Sequence, residues 1–563
     1  MSDSKNKSSE TKAAQTKRKW NFKELIPGGV ISLAACFMMF LYAPLELYFT
    51  NKDEFWFDMR ILGPVLLKIF LVMLVLSIAV LAILWLIHRR VYQVALVVYF
   101  VGFICTYIQG NFLVSNLPAM DGTAPQWESY TGEHIKTIVV WIVVAVAAAL
   151  AVKFVHMKKM YVVIGLVSGC MTLMLGVTLL SLCISNNGLE QKNASNLTIT
   201  KKDEFEMSTN KNFVILLLDA VDGKEFNNII EDDSELKSVF NDFTFYKNTM
   251  GTYPFTKHAI PYIISGEYYE NERLFNEYMS EAYSQSPLLT RLKKDSYQYG
   301  IYEDEYAPAD DSIADFDNTD KSIGTVTSEL DFAKLEIKLA AFKYAPYSVK
   351  ERCYFLMSEF QSVRQAPEGQ EIFTSSNKDF YDDLNSQPIT LSDQNCFRFI
   401  HVEGGHVPFQ YDENVVEDGD GTYEGNVRAS VTIAKTYLEK LKEASVYDNT
   451  VIIVMADHGY NYADTEGRQN PILLMKGVDE HHYYQVSNAP VSFEDLQEAY
   501  SRLLDGKAST ECFDVQEGDQ RDRRFLFYYF EQDEHMTEYI QKGEAKDTDQ
   551  MQETGKNFEL RKN

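Results

Sequence analysis

The chain has 563 residues, 46% of them hydrophobic, and a formal net charge of −27. That length exceeds one ordinary domain, and the charge excludes nucleic acid as a partner, because holding a phosphate backbone takes an excess of Lys and Arg. The charge is also uneven: up to Ser185 sixteen Lys and Arg stand against ten Asp and Glu, near +6, which leaves about −33 for the remainder. Carboxylates in such excess suit hard cations, whose ligands are oxygen atoms.

The chain opens with a polar arm, residues 1–27, that contains the basic run TKRKWNFK. Five apolar runs follow, at roughly 28–49, 62–87, 91–108, 135–154 and 160–184, and define a membrane region over 28–185. Runs of about twenty residues cross about 30 Å of hydrocarbon as helices. The basic clusters are the arm, His88-Arg89-Arg90 and Lys153 to Lys159, and a cytoplasmic N-terminus puts all three on the inner side. The acidic, aromatic loops NKDEFWFD and SNLPAMDGTAPQWESYTGEH then face outward, and everything after Ile184 follows them. The run at 135–154 has a second reading as a buried soluble helix, but dropping it would strand Lys158 and Lys159 outside. The first run is too long, and its arm too extended, for a cleaved signal peptide.

Residues 186–210 are polar and read as a linker. From 211 to 515 short apolar runs (FVILLLD, FTFYKN, FRFIHVEG, TVIIVMAD, PILLMKG) alternate with helical stretches, among them His258 to Ile264, Asn426 to Ala444 and Ser492 to Leu504. Such alternation predicts a doubly wound α/β domain. The charged, aromatic stretch Tyr268 to Ser392 is less regular and is expected to supply helices that cover the site. Residues 516–548 read as a small antiparallel appendage and 549–563 as a disordered tail. Four of the seven cysteines lie in the apolar runs; Cys353, Cys396 and Cys512 permit one disulfide at most, with one left over, and no metal-ligand spacing or disulfide framework is present.

Two buried parallel strands deliver the chemistry: KNFVILLLDA ends on Asp219, and TVIIVMADHG ends on Asp457 and His458. The C-terminal ends of such strands are where α/β enzymes build their sites. Between them Thr256 opens the segment TKHAIPYIISG. A Thr hydroxyl is a weak nucleophile, and coordination to a divalent cation activates it. Two carboxylates, an imidazole and that oxygen fill a four-coordinate Zn2+ site, and Mn2+ accepts the same set with waters added. Each residue also has a plainer reading. Asp457 and Thr256 could be helix caps, Asp219 a loop carboxylate, and His406 in HVEGGHVPF a structural His; the four in one order on strand ends favour a site. His258 and the pair His481-His482 read as structural or surface residues, and VVEDGDG as a solvated face without calcium-loop spacing.

On these motifs the second half resembles the sulfatase-like branch of the alkaline phosphatase superfamily. The whole layout is similar to lipoteichoic acid synthases and phosphoethanolamine transferases, which also place an extracellular catalytic domain after five spans. The resemblance implies that Asp219, Thr256, Asp457 and His458 hold one divalent metal, Zn2+ or Mn2+. It makes Thr256, ten residues before Gly266 and five before Pro261, the nucleophile, and has His406 touch the transferred group. It implies a bacterial plasma membrane, with the catalytic domain extracellular or periplasmic. The chain departs from the pattern where Ala220 follows Asp219, with Asp222 the next acid, and where Tyr460 follows Asp-His-Gly. Arg468 and Asn470 stand where transferases carry a later His, and a Thr cannot become the formylglycine of sulfatases, which argues against sulfate-ester hydrolysis. The expected activity is transfer of a phosphoglycerol or phosphoethanolamine group from a membrane phospholipid, through a phospho-Thr, to an envelope glycan or lipid-linked acceptor. The alternatives are an extracellular phosphodiesterase, phosphatase or sulfuric-ester hydrolase of the superfamily, and a non-catalytic glycan-binding or assembly protein.

Overall fold

The computed structural model describes residues 21–560 apart from 53–54, 115–116, 118–124, 190–197, 305, 309, 321–323, 366–369, 420, 461–466 and 530–533. The first twenty residues of the arm and most of the first half of the expected linker therefore lie outside the described residues. Five helices carry the apolar runs: α1 (Phe22–Thr50), α2 (Met59–Ile87), α3 (Arg89–Phe112), α4 (Trp127–Phe154) and α5 (Met157–Ser185), each long and apolar enough to cross a membrane. At the starts of α2, α3 and α5 side chains satisfy exposed N–H groups, as helix N-termini require. Asp58 accepts from Arg60 N, while His88 and His156 cap α3 and α5 at the two basic turns by accepting from Arg90 N and Lys158 N. Helix α1 includes a π-helical turn at Met38–Tyr42.

The chain divides into two compact units, and the division departs from the sequence reading at one place. Residues 329–355, expected inside the catalytic domain over its site, belong instead to the unit of α1–α5. The helix Glu329–Tyr344 has its buried residues Phe332, Ala333, Glu336, Leu339 and Ala340 at helical spacing. That face packs on the membrane helices, and Ala340 and Tyr344 join their apolar core.

The second unit, the one expected to be catalytic, is organised by a seven-stranded sheet. Its strands are β1 (Asn212–Leu218), β2 (Thr244–Tyr246), β3 (Tyr297–Tyr302), β4 (Asn395–Val402), β5 (Thr450–Met455), β6 (Leu473–Lys476) and β7 (Gln485–Ser487). The spatial order is β7-β2-β6-β5-β1-β4-β3. Only β6 runs antiparallel to its neighbours. All seven residues of β1 are buried, which is why its sequence is continuously apolar rather than alternating. Full burial of each such side chain contributes about 1.5–3 kcal/mol. Helices α6 (Gly223–Asp232), α7 (Thr256–Ser265), α8 (Tyr423–Glu443) and α9 (Leu496–Leu504) accompany it.

Two further expectations change. Part of the stretch read as linker is structured: Glu206–Ser208 pairs in parallel with Thr390–Ser392. Residues expected as a disordered tail form a strand, because β8 (Arg523–Phe527) and β9 (His535–Gln541) continue into β10 (Met551–Glu559) in an antiparallel sheet. Polar composition suggested disorder, but backbone pairing needs no apolar side chains. All seven cysteines are free thiols.

Candidate active site

Strand register places the site. Leu217 is level with His401 on β4 and with Met455 on β5, so the three central strands end together and Asp219, His401 and Asp457 emerge side by side. The turn after β1 is tight. Ala220 adopts φ 56°, an uncommon left-handed conformation for a non-glycine residue. Its carbonyl accepts from the Tyr423 hydroxyl, which in turn accepts from Asp222 N. Asp219 N donates to Val402 O and Gly405 N to Asp219 O. At Gly404 (φ +57) a Cβ would lie 2.5 Å from the Asp219 backbone nitrogen and oxygen, so only glycine fits. The EGGH sequence is thus the seat on which Asp219 rests.

Four of the five residues singled out in the sequence come together. Thr256 Oγ1, at the first turn of α7, lies 3.4 Å from Asp219 Oδ2 and 3.5 Å from His458 Nε2. His458 Nε2 is 3.5 Å from Asp219 Oδ1 and 3.4 Å from Asp457 Oδ2. Asp219, Asp457 and His458 are buried, with one ligand atom from each lying within 4.8 Å of the others. The fifth, His406, lies outside that cluster on the loop after β4, half-buried, with Nδ1 on Val407 O and its own carbonyl accepting from Asn426.

The cluster fits a divalent cation. Asp219 Oδ1 and Asp457 Oδ2 are buried and accept no hydrogen bond, an arrangement that is costly unless a positive charge compensates it. His458 donates from Nδ1 to Gly459 O at 2.7 Å, which leaves the Nε2 lone pair directed at the carboxylates in the manner of a metal-ligating imidazole. Burial alone would raise the Asp219 carboxyl, but the imidazoles of His406, His401 and His458 hold it below the ordinary carboxylate value. Asp457 is pushed up by burial and by Asp219 beside it. Asp222 is no part of this cluster. It caps α6 by accepting from Lys224 N and Glu225 N, so its place four residues after Leu218 reflects a helix start.

Sequence reasoning missed His401. Its Nε2 stands 3.5 Å from Asp219 Oδ2 and its Nδ1 bonds to the fully buried Glu303, just past the end of β3. Burial opposes charge on this imidazole, yet Glu303 and Asp219 raise it well above its usual value. The available signal was a His at the penultimate position of an apolar strand. Arg468 was noted only as a departure, and its guanidinium lies over the rings of Phe255, at 4.7 Å, and Tyr460, at 5.4 Å. Tyr460 is itself stacked on Tyr423 at 4.7 Å. His258 is buried against Tyr528, Tyr253 and Tyr269, as its structural reading expects.

The sulfatase family model matches residues 211–505, more than half of the chain. The chain belongs to the sulfatase family. It is an enzyme of that family, whose members bind a divalent metal, and the Asp219, Asp457 and His458 cluster is where this sulfatase-family chain can hold one. Similar solved structures include the integral membrane protein lipooligosaccharide phosphoethanolamine transferase A from Neisseria meningitidis, at 11% identity over 85% of this chain and 95% of that one, TM-score 0.31. A phosphonate monoester hydrolase from Silicibacter pomeroyi matches at 12% over 59% and 87%, TM-score 0.32. A protein in the alkaline phosphatase superfamily from Vibrio parahaemolyticus matches at 14% over 64% and 85%, TM-score 0.34. Among curated proteins none matches.

Proposed function

We propose that this protein is a membrane-anchored phosphotransferase that moves a phosphoglycerol or phosphoethanolamine group from a phospholipid onto a cell-envelope glycan or lipid-linked acceptor. The observation that carries this reading is the position of Thr256 Oγ1 between Asp219 and His458. Thr256, Asp219, Asp457 and His458 would hold one Zn2+ or Mn2+. That ion, when bound, lowers the pKa of the Thr hydroxyl and polarises the phosphate. Thr256 attacks the donor phosphorus, the P–O bond to the diacylglycerol breaks, and the head group remains on Thr256 as a phosphodiester. An acceptor hydroxyl then attacks the same phosphorus and releases Thr256. Negative charge gathering on the phosphate oxygens meets the N-terminal N–H groups of α7, which has no side-chain cap. His406 is assigned to the transferred group, and His401, anchored by Glu303, to the orientation of Asp219.

A sulfate-ester hydrolase is disfavoured because Thr256 stands where the formylglycine precursor would be. The orientation proposed is N-terminus cytoplasmic and catalytic unit extracellular or periplasmic. It is supported by the bundle itself, since residues 329–355 pack on the ends of α1–α4 away from the basic turns at Arg89 and Lys158. The test is phosphorus NMR of purified envelope glycans and lipids from cells carrying the wild-type chain or Thr256→Ala. Loss of one phosphodiester resonance in the variant is the expected result, and the coupling pattern identifies the group. Coincident spectra would overturn transfer to those acceptors. Release of free phosphate ester from a phospholipid at the rate of transfer would make the enzyme a phosphodiesterase.

A further inference from the structure

The chain joins its two units by more than the stretch after α5. It leaves the catalytic unit after Ser328, contributes residues 329–355 to the membrane unit, and returns at Leu356. The insertion is held at several separate points. At its start Glu329 pairs with Lys68 of α2 at 2.7 Å, and the Phe332 ring meets Phe57 edge-on at 4.8 Å. At the end of the helix, Lys343 Nζ lies 2.6 and 2.7 Å from the two carboxylate oxygens of Glu46 on α1, which the Tyr344 hydroxyl also approaches at 3.4 Å. Tyr344 packs so closely on α3 that a Cβ at Gly110 would lie 2.1 Å from its ring. Beyond the helix, Tyr347 stacks on Tyr130 and Tyr354 meets Trp127 edge-on, both at the start of α4.

These contacts share one end of the bundle and come from four of its helices. The Glu46–Lys343 pair is mostly shielded from water, with 15% and 20% of the side chains exposed, so reversing one charge leaves two like charges partly buried together. A domain on a single tether samples many orientations, whereas each further chain crossing that ends in a packed element removes some of them. For a reaction whose donor stays in the bilayer, that restriction keeps reacting groups in productive geometry.

We propose that residues 329–355 are a strap that limits the rotation of the catalytic unit about its membrane attachment, and that turnover of a bilayer-held donor depends on its docking. The catalytic half of this proposal rests on the phosphotransferase reading above; the mechanical half does not. Both are tested on the full chain in nanodiscs with Glu46→Lys, Lys343→Glu and the double variant, which restores the pair with its charges exchanged.

The mechanical measurement is anisotropy decay of a dye on Gln520→Cys, an exposed position of the catalytic unit, in a background where the accessible thiols Cys170, Cys183 and Cys353 are replaced by Ser. The wild type is expected to tumble with the disc, Glu46→Lys to gain a nanosecond component, and the double variant to lose it again. A Glu46→Lys decay identical to wild type would overturn the strap. The catalytic measurement compares phosphatidylethanolamine and phosphatidylglycerol held in vesicles with their soluble dihexanoyl forms. Glu46→Lys is expected to lose at least tenfold on the vesicle donor and less than twofold on the soluble one, with recovery in the double variant. Equal losses on both donors would overturn the dependence on docking. A wild type inert on both donors would overturn the transferase reading and leave the strap to be decided by the anisotropy alone.

Discussion

The catalytic unit and helices α1–α5 of the membrane unit differ in where they place apolar side chains. In the catalytic unit the central strands are buried along their length, and the ionisable groups at their ends are buried too: Asp219, His401, Asp457 and His458 are each no more than 6% exposed. In the membrane unit the apolar side chains face outward, with Val75 66% and Leu173 71% exposed, while Asp58, His88 and His156 sit at helix starts. A water-soluble unit keeps a buried charge cluster only where specific partners compensate it. A membrane unit must satisfy its backbone internally and can leave any apolar residue on the outside. Position therefore matters atom by atom in the first and mainly by polarity in the second.

This contrast can be broken or sharpened by substitution. The largest effect is expected at Gly404, where a methyl group meets the Asp219 backbone at a positive φ. Gly404→Ala should cost about 3 to 4 kcal/mol through overpacking and backbone strain, read as a lowered denaturation midpoint of the catalytic unit. A wild-type midpoint would show that the Asp219 seat is soft. On the lipid-facing side Val75→Lys, in the middle of α2, should cost about 3 kcal/mol in membrane insertion without moving that midpoint, as checked by membrane fractionation. Unchanged insertion would mean that Val75 does not face lipid.

A smaller effect is expected at His401, which touches Asp219 without belonging to the ligand cluster. His401→Gln should weaken Mn2+ or Zn2+ binding by about 10- to 100-fold, and calorimetric titration would detect it. Affinity equal to wild type would make His401 a packing residue. A separate, pH-dependent effect concerns Glu336, on the buried face of the inserted helix. One of its carboxylate oxygens has no hydrogen-bond partner, and burial pushes its pKa from 4.5 up to about 8. Because the folded value is raised, the native state binds the proton more tightly. This contribution is fully present below about 4.5 and is lost as pH rises through about 8. Hydrogen-exchange protection of residues 329–355, corrected for intrinsic rates, should fall over that window in wild type and stay flat in Glu336→Gln. Parallel pH profiles for the two proteins would contradict the assignment.

By itself the sequence determined whatever depends on local pattern. The lengths of the apolar runs located the five helices, continuous apolar stretches located β1, β4, β5 and β6, and the residues closing β1 and β5 pointed to Asp219, Asp457 and His458. Thr256 was legible only through the family resemblance and its offsets to Pro261 and Gly266, since a Thr that opens a helix is often just its cap. Tertiary structure decided the rest, because it depends on which distant segments meet. Glu303 and His401 are 98 residues apart and touch only because β3 lies beside β4 in the sheet. Asp222 became a helix cap once the chain turned at Ala220. Polar residues 551–559 became a strand because β9 offered an edge to pair with. The apolar residues of the helix Glu329–Tyr344 are spread all round it, with Leu330 exposed and Glu336 buried, so its sequence singles out no face and only packing chose its partner. Where a helix carries no one-sided apolar pattern, its buried face is set by the neighbours it meets and not by its own sequence.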